Sequence, residues 1–406
     1  MKKLILISVI LALVAGPAFS QLALGGYTFG KYDILRGVSP ASGTAEIPDA
    51  GGGMGRINIE ASGATDDGQF GGWVRYRADA NTSYKWGNTG GGNGDANVGA
   101  NGFAYWKPIP QLKVQIGLNH DGVFDTSNIT RWGWYSRASD VFISADNAWG
   151  NGTDANSDYA IFGGWDGDSG GFGGNGLLVE ITPIPELALN FGIPMGEGTA
   201  DQTYNRMIVQ AAGTIPDIGK AFITLQGRGA TNDPDPTKTG ESLGGKVWIA
   251  FSLTAVENLG VDIGGSFSFG HKDDKSAEAI GLALGVSYGA DAFQIKARFF
   301  AAMGSKDPAG NEIKNNNNEA LTQMCFDLLP SYKITDNLTA FLSAGVILNG
   351  MVDADKNAVV AWHIEPYITQ SIGWDRNFYA GFRLESAGGK DAPTSWSIPI
   401  GVVFGF

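Results

Sequence analysis

The thirteen residues from Thr394 to Phe406, TSWSIPIGVVFGF, constrain this chain most tightly. Counting back from the end, Phe406, Phe404, Val402, Ile400, Ile398 and Trp396 are all apolar or aromatic. Gly405, Val403, Gly401, Pro399, Ser397 and Ser395 between them are mostly small. A period of two means a β-strand with one greasy face and one unobtrusive face. A strand that puts such a face outward at its very end suits a closed barrel in a membrane, where no sheet edge can be left unpaired.

Composition is consistent with that geometry. Charged residues make up 17% of the chain, below the roughly 25% of an average soluble domain, while 61 residues are glycine and 11% are aromatic. A mean hydropathy of −0.05 fits strands that are half apolar and half polar, joined by Gly/Asn/Asp-rich loops. The first twenty residues read as a secretory signal: Lys2 and Lys3, an apolar core from Leu4 to Ala15, then Ala18-Phe19-Ser20 before Gln21. That core is too short for a spanning helix of about 20 residues. Domain boundaries follow as 1–20 for the signal and 21–406 for one barrel. Without residues 1–20 the chain keeps 26 basic against 41 acidic side chains, a net charge of −15, which argues against a nucleic-acid partner. A single cysteine, Cys325, excludes an intramolecular disulfide or a multi-cysteine metal site.

Turns of two kinds alternate along the chain. Short Pro/Asn/Asp turns fall at 108–111, 183–186, 215–219, 257–260, 290–292, 335–337 and 373–377; longer Gly/Asn/Asp-rich stretches fall at 80–99, 229–242, 304–318 and 350–357. Short turns at one rim and long loops at the other are the asymmetry of a transmembrane barrel. Between the turns, Ile280, Leu282, Leu284 and Val286 alternate with Gly281, Ala283 and Gly285. Phe293, Ile295, Ala297 and Phe299 alternate with Gln294, Lys296 and Arg298, and Trp362, Ile364 and Ile368 oppose His363, Glu365, Tyr367 and Thr369. The N-terminal half follows more weakly, with Ile57 and Ile59 against Arg56 and Asn58. The pattern predicts an all-β, closed antiparallel transmembrane barrel of about 18 strands (range 16–20), with both ends at the short-turn rim. Pro366 and Pro399 fall inside strands, where a missing N–H predicts a bulge or break.

The alternation Phe406, Phe404, Val402, Ile400, together with the phrase SYKITDNLTAFLSAGV at 331–346, resembles the strands and the C-terminal assembly signal of bacterial outer-membrane porins. That resemblance implies residence in the bacterial outer membrane with lipid as surroundings. It also implies barrel-assembly machinery and periplasmic chaperones as partners in biogenesis. Small hydrophilic solutes would be the cargo, and association as a homotrimer is left open.

Candidate functional residues follow from the predicted inward faces. The pore-lining basic residues are Arg56, Arg75, Arg77, Lys113, Lys296, Arg298 and Arg383. The stretch 120–174 holds eight aspartates, among them Asp121, Asp125, Asp140 and Asp146, and ten aromatics including Trp132, Trp134 and Trp165. A loop of this length is usually functional, and it resembles a porin constriction loop whose acids face the basic wall and set a transverse field. The bland reading is an extracellular cap or two further strands. With three histidines and no nucleophile at a useful spacing, catalysis is not expected, and neither is a cofactor or metal. The function read from the sequence is passive diffusion of small hydrophilic solutes or ions. A substrate-selective channel for a saccharide or organic anion, or a barrel-anchored surface adhesin, are the alternatives.

Overall fold

A computed structural model describes residues 21–39, 52–83, 96–118, 176–194, 207–228, 244–272, 275–303, 323–352, 358–373, 376–386 and 394–405. The signal (1–20), the stretch 120–174 with Asp121, Asp125, Asp140 and Asp146, and Phe406 all lie outside them. Nineteen strand segments occur and no helix is found among the described residues. The first half comprises β1 (Gln21–Ser39), β2 (Gly52–Ala64), β3 (Phe70–Ser83), β4 (Ala96–Ile109), β5 (Leu112–Leu118), β6 (Gly176–Ile184), β7 (Leu187–Pro194), β8 (Ile208–Ile215) and β9 (Gly219–Arg228). The second half comprises β10 (Gly244–Val256), β11 (Leu259–Lys272), β12 (Lys275–Ala290), β13 (Phe293–Met303), β14 (Gln323–Thr335), β15 (Leu338–Val352), β16 (Ala358–Gly373), β17 (Arg376–Gly381), β18 (Arg383–Ser386) and β19 (Thr394–Gly405). β17 and β18 are halves of one span interrupted at Phe382, since both pair with β16 and with β19. Among the described residues the wall therefore has eighteen spans.

Each span pairs antiparallel with its sequence neighbours, and β1 pairs with both β2 and β19, so the ladder closes into a ring. Closure satisfies the two edges that an open sheet would leave. Six of the seven short turns named above lie wholly among the described residues, and all six lie at one rim. Asp217, Asn258 and Asp291 take φ of 60°, 63° and 49° in three of them. That left-handed conformation is tolerated by Asn and Asp better than by other side chains, which explains the turn chemistry of the sequence. At the opposite rim one connection is also tight, with Lys272 opposite Lys275.

Polarity is inverted relative to a soluble protein. Ile249, Ile263, Leu282, Ile223, Val402 and Phe404 are exposed on the outer side, at 41–57%. Gln115, Gln210, Thr224, Asp327, Ser343 and Glu365 are at 0–1% on the inner side. Near the short-turn rim, Phe70 stacks on Trp106 with centroids 6.2 Å apart, and Tyr288, Phe293 and Tyr332 are exposed beside the next turns. Outward aromatics at a rim are where a bilayer interface holds amphipathic rings. Two apolar side chains, Leu178 and Ile208, point inward and are fully enclosed.

The prolines disturb the ladder on the strands beside them. β16 runs unbroken through Pro366, and the interruption appears at Phe382 of the facing span, whose N–H still donates to the Pro366 carbonyl at 3.0 Å. β19 likewise runs through Pro399, and the register slips on β1 between Asp33 and Arg36. A proline keeps its acceptor and loses its donor, so the neighbour that would have accepted is the one that adjusts.

Candidate functional site: the inner wall

The inner surface has two sectors that hold their charges in different ways. In the first sector, on β2 to β6, Glu60 accepts a 3.4 Å hydrogen bond from Trp73 Nε1. Arg75 lies 5.1 Å over the Trp73 ring, which packs against Phe103 at 5.9 Å. Lys107 and Lys113 each place Nζ 5.3 Å from the centroid of Tyr105. That ring lies on Gly71 of the adjacent strand, where even a methyl group would overlap it. Among the described residues no carboxylate lies within ion-pair distance of either lysine; Glu180 is opposite Lys113 in register.

The second sector, on β13 to β19, holds Arg298 and Arg383 in ion pairs. Arg298 Nη2 donates to Asp327 Oδ2 at 3.0 Å, directly across the β13–β14 ladder. Arg383 Nε donates to Glu365 Oε2 at 3.1 Å. Ser343 Oγ and His363 Nε2 are 2.9 Å apart. Tyr367 stacks on Phe341 at 4.8 Å, and Tyr379, enclosed, lies over Gly401. Between the sectors, Gln210 donates to Thr224 at 3.0 Å and Ser252 to Asp262.

Of the basic residues singled out from sequence, Arg75 and Lys113 fall in the first sector, and Arg298 and Arg383 in the second. Lys296 is on the same face of β13 as Arg298, opposite Leu329. The side chains of Arg56 and Arg77 lie outside the described residues; backbone pairing sets Arg56 opposite Asp79 and Asn58 opposite Arg77. In the C-terminal motif, Val402 and Phe404 are exposed on the outer face and Ile400 is half-buried. Sequence reading missed Lys107, because Lys107-Pro108 looked like the start of a turn. The two-residue period running Phe103, Tyr105, Lys107 was the signal that could have found it.

A closed ring of strands, apolar outside and charged inside, is the construction of a transmembrane β-barrel. Comparison with solved structures specifies it further. The chain is similar to OpdL of Pseudomonas aeruginosa (9% identity, 95% of this chain and 99% of that one, TM-score 0.55). It is similar to a BenF-like porin from Pseudomonas fluorescens Pf-5 (10%, 95% and 98%, 0.53) and to Pseudomonas aeruginosa OpdQ (10%, 95% and 98%, 0.52). At these identities the common property is the fold, and the chain has the barrel fold of bacterial outer-membrane porins. No family model matches the sequence, and no curated protein matches it.

Proposed function

We propose that this protein is a channel of the bacterial outer membrane that passes small hydrophilic solutes or ions by diffusion through its lumen. The observation that carries this reading is the inversion of polarity around a closed ring: apolar side chains exposed outside, charges and amides inside. Such a wall offers hydrocarbon a matching surface and offers hydrated solutes a polar one. The fold shared with porins supports it.

Reconstitution into a planar bilayer tests the proposal. Discrete ohmic current steps are the expected result. A folded, inserted protein that leaves the membrane silent would overturn the reading in favour of a barrel that only anchors its loops as an adhesin. The stretch 120–174 enters the proposal as a constriction, with Asp121, Asp125, Asp140 and Asp146 facing the basic residues of the first sector. Excising 132–165 should raise the conductance, and an unchanged conductance would remove the constriction role. The residues 1–20 enter it as an export signal cleaved before Gln21. Ser343 and His363 sit among buried side chains on the second sector, where the serine is fully enclosed; the contact reads as wall packing.

A further inference from the structure

We propose that Lys107 and Lys113 form an oxyanion subsite at the short-turn mouth of the lumen, with Tyr105 as its positioning residue. The ligand class is a doubly charged oxyanion, inorganic phosphate or a phosphomonoester. The inference rests on the channel reading above and adds a place where a solute pauses.

The two lysines flank the Pro110-Gln111 turn, Lys107 near the end of β4 and Lys113 near the start of β5. The ladder between these strands loses register between Trp106 and Ile109, while on the β3 side the Lys107 N–H donates to the Gln69 carbonyl at 2.7 Å. Both ammonium groups then turn to the same ring, each 5.3 Å from the Tyr105 centroid. Like charges facing each other across adjacent strands destabilise a sheet. Where this barrel uses a cation to hold its wall the carboxylate is in ion-pair contact, as Asp327 is with Arg298 at 3.0 Å, whereas no ion pair joins Glu180 to Lys113. A π face attracts an ammonium without cancelling its charge. The lysines are therefore oriented by Tyr105 and left electrostatically available, and a dianion between them would relieve their repulsion. Glu180 opposite Lys113 offsets one charge of the pair and leaves the row net positive. Both lysines are half-buried, where effective dielectric is lower than in bulk water and an anion gains more from them.

Tyr105 keeps its place through Gly71, whose missing side chain makes room for the ring. This gives the proposal a second residue with a distinct signature. A side chain at Gly71 displaces the ring and should scatter the lysines without altering any charge.

The test is single-channel current carried by chloride, with inorganic phosphate added and with acetate as the monovalent comparison. Phosphate should interrupt the current at a saturable concentration at which acetate does not. Lys107→Gln and Lys113→Gln should each raise the half-blocking phosphate concentration about tenfold. Tyr105→Phe should leave it unchanged, while Tyr105→Leu and Gly71→Ala raise it severalfold. Lys333→Gln, a lysine at the same rim paired with Asp336, is the control and should change nothing. Far-UV circular dichroism and the mobility of unheated protein on gels confirm that each variant is folded. Open channels indifferent to phosphate, or blocked equally in the Lys107→Gln and Lys113→Gln variants, would overturn the subsite while the channel stands. If no channel opens, calorimetric titration of the detergent-solubilised barrel with phosphate reads the subsite independently: lysine-dependent binding supports it, and its absence overturns it.

Discussion

The two charged sectors of the inner wall use the same residue types to opposite ends. On β13 to β19 the two arginines whose side chains are described each have a carboxylate: Arg298 with Asp327 and Arg383 with Glu365, the acids at 1% and 0% side-chain exposure. On β4 and β5 the cations lie over an aromatic ring, Lys107 and Lys113 over Tyr105. The first arrangement neutralises charge and ties neighbouring strands together; the second orients charge and leaves its field projecting inward. One sector braces the wall and the other presents charge to the lumen, although a count of basic residues would treat them alike.

The sharpest way to break that contrast is to remove one partner of a buried pair. Glu365→Gln leaves the Arg383 guanidinium uncompensated and should cost about 3–5 kcal/mol, read as a lower urea midpoint for unfolding in a lipid bilayer. Near-native stability would show that the pair is not structural. Filling the seat of a ring on the same sector should cost less. Gly401→Ala pushes on the enclosed Tyr379, and overpacking of this kind costs about 1–3 kcal/mol, measurable by the same denaturation. On the other sector Lys113→Gln should stay within about 0.5 kcal/mol of the parent protein, because no ion pair is lost. A large loss of stability there would erase the distinction between the sectors.

The smallest effect lies outside both. Asp67 in the exposed turn between β2 and β3 accepts from the Thr65 hydroxyl at 2.6 Å and from the Gln69 N–H at 3.0 Å, and these bonds hold its carboxyl below the usual aspartate range. Because the folded pKa is depressed, the turn's contribution is complete above the ordinary aspartate value of about 4. It is lost as pH falls through the lower folded value. The Gln69 amide resonance should titrate below that of a free aspartate turn, with no change in either charged sector.

Much of the barrel was legible in the sequence because a wall with two solvents writes its period into every strand. The strand expected from 293 onward, alternating Phe293, Ile295, Ala297 and Phe299 with Lys296 and Arg298, is β13 with that face assignment. The expected count of about 18 strands agrees with the eighteen described spans, and Asp217, Asn258 and Asp291 mark three of the tight reversals by chemistry that only a few residues tolerate. The bulge or break expected at each proline is present in the ladder, with its irregular residues on the facing strand, at Phe382 and at Asp33–Arg36, because the absent donor is felt across the ladder. The pairing of charges was hidden for a related reason. Asp327 is 29 positions from Arg298, and only the register between β13 and β14 makes them neighbours. Lys107 was hidden by its own proline.

The ring also has a consequence for how the molecule comes to exist. Tyr27 meets Gly405 and Lys31 meets Gly401, so the final ladder joins stretches from opposite ends of the polypeptide. Every other ladder can form between chain neighbours, but this one demands that all eighteen spans already be curved into place, the most non-local contact in the structure and the slowest kind to make. Until it forms, two ragged borders stand open to any passing strand, and a copy missing Thr394–Gly405 would remain a sticky half-pipe with no way to seal itself.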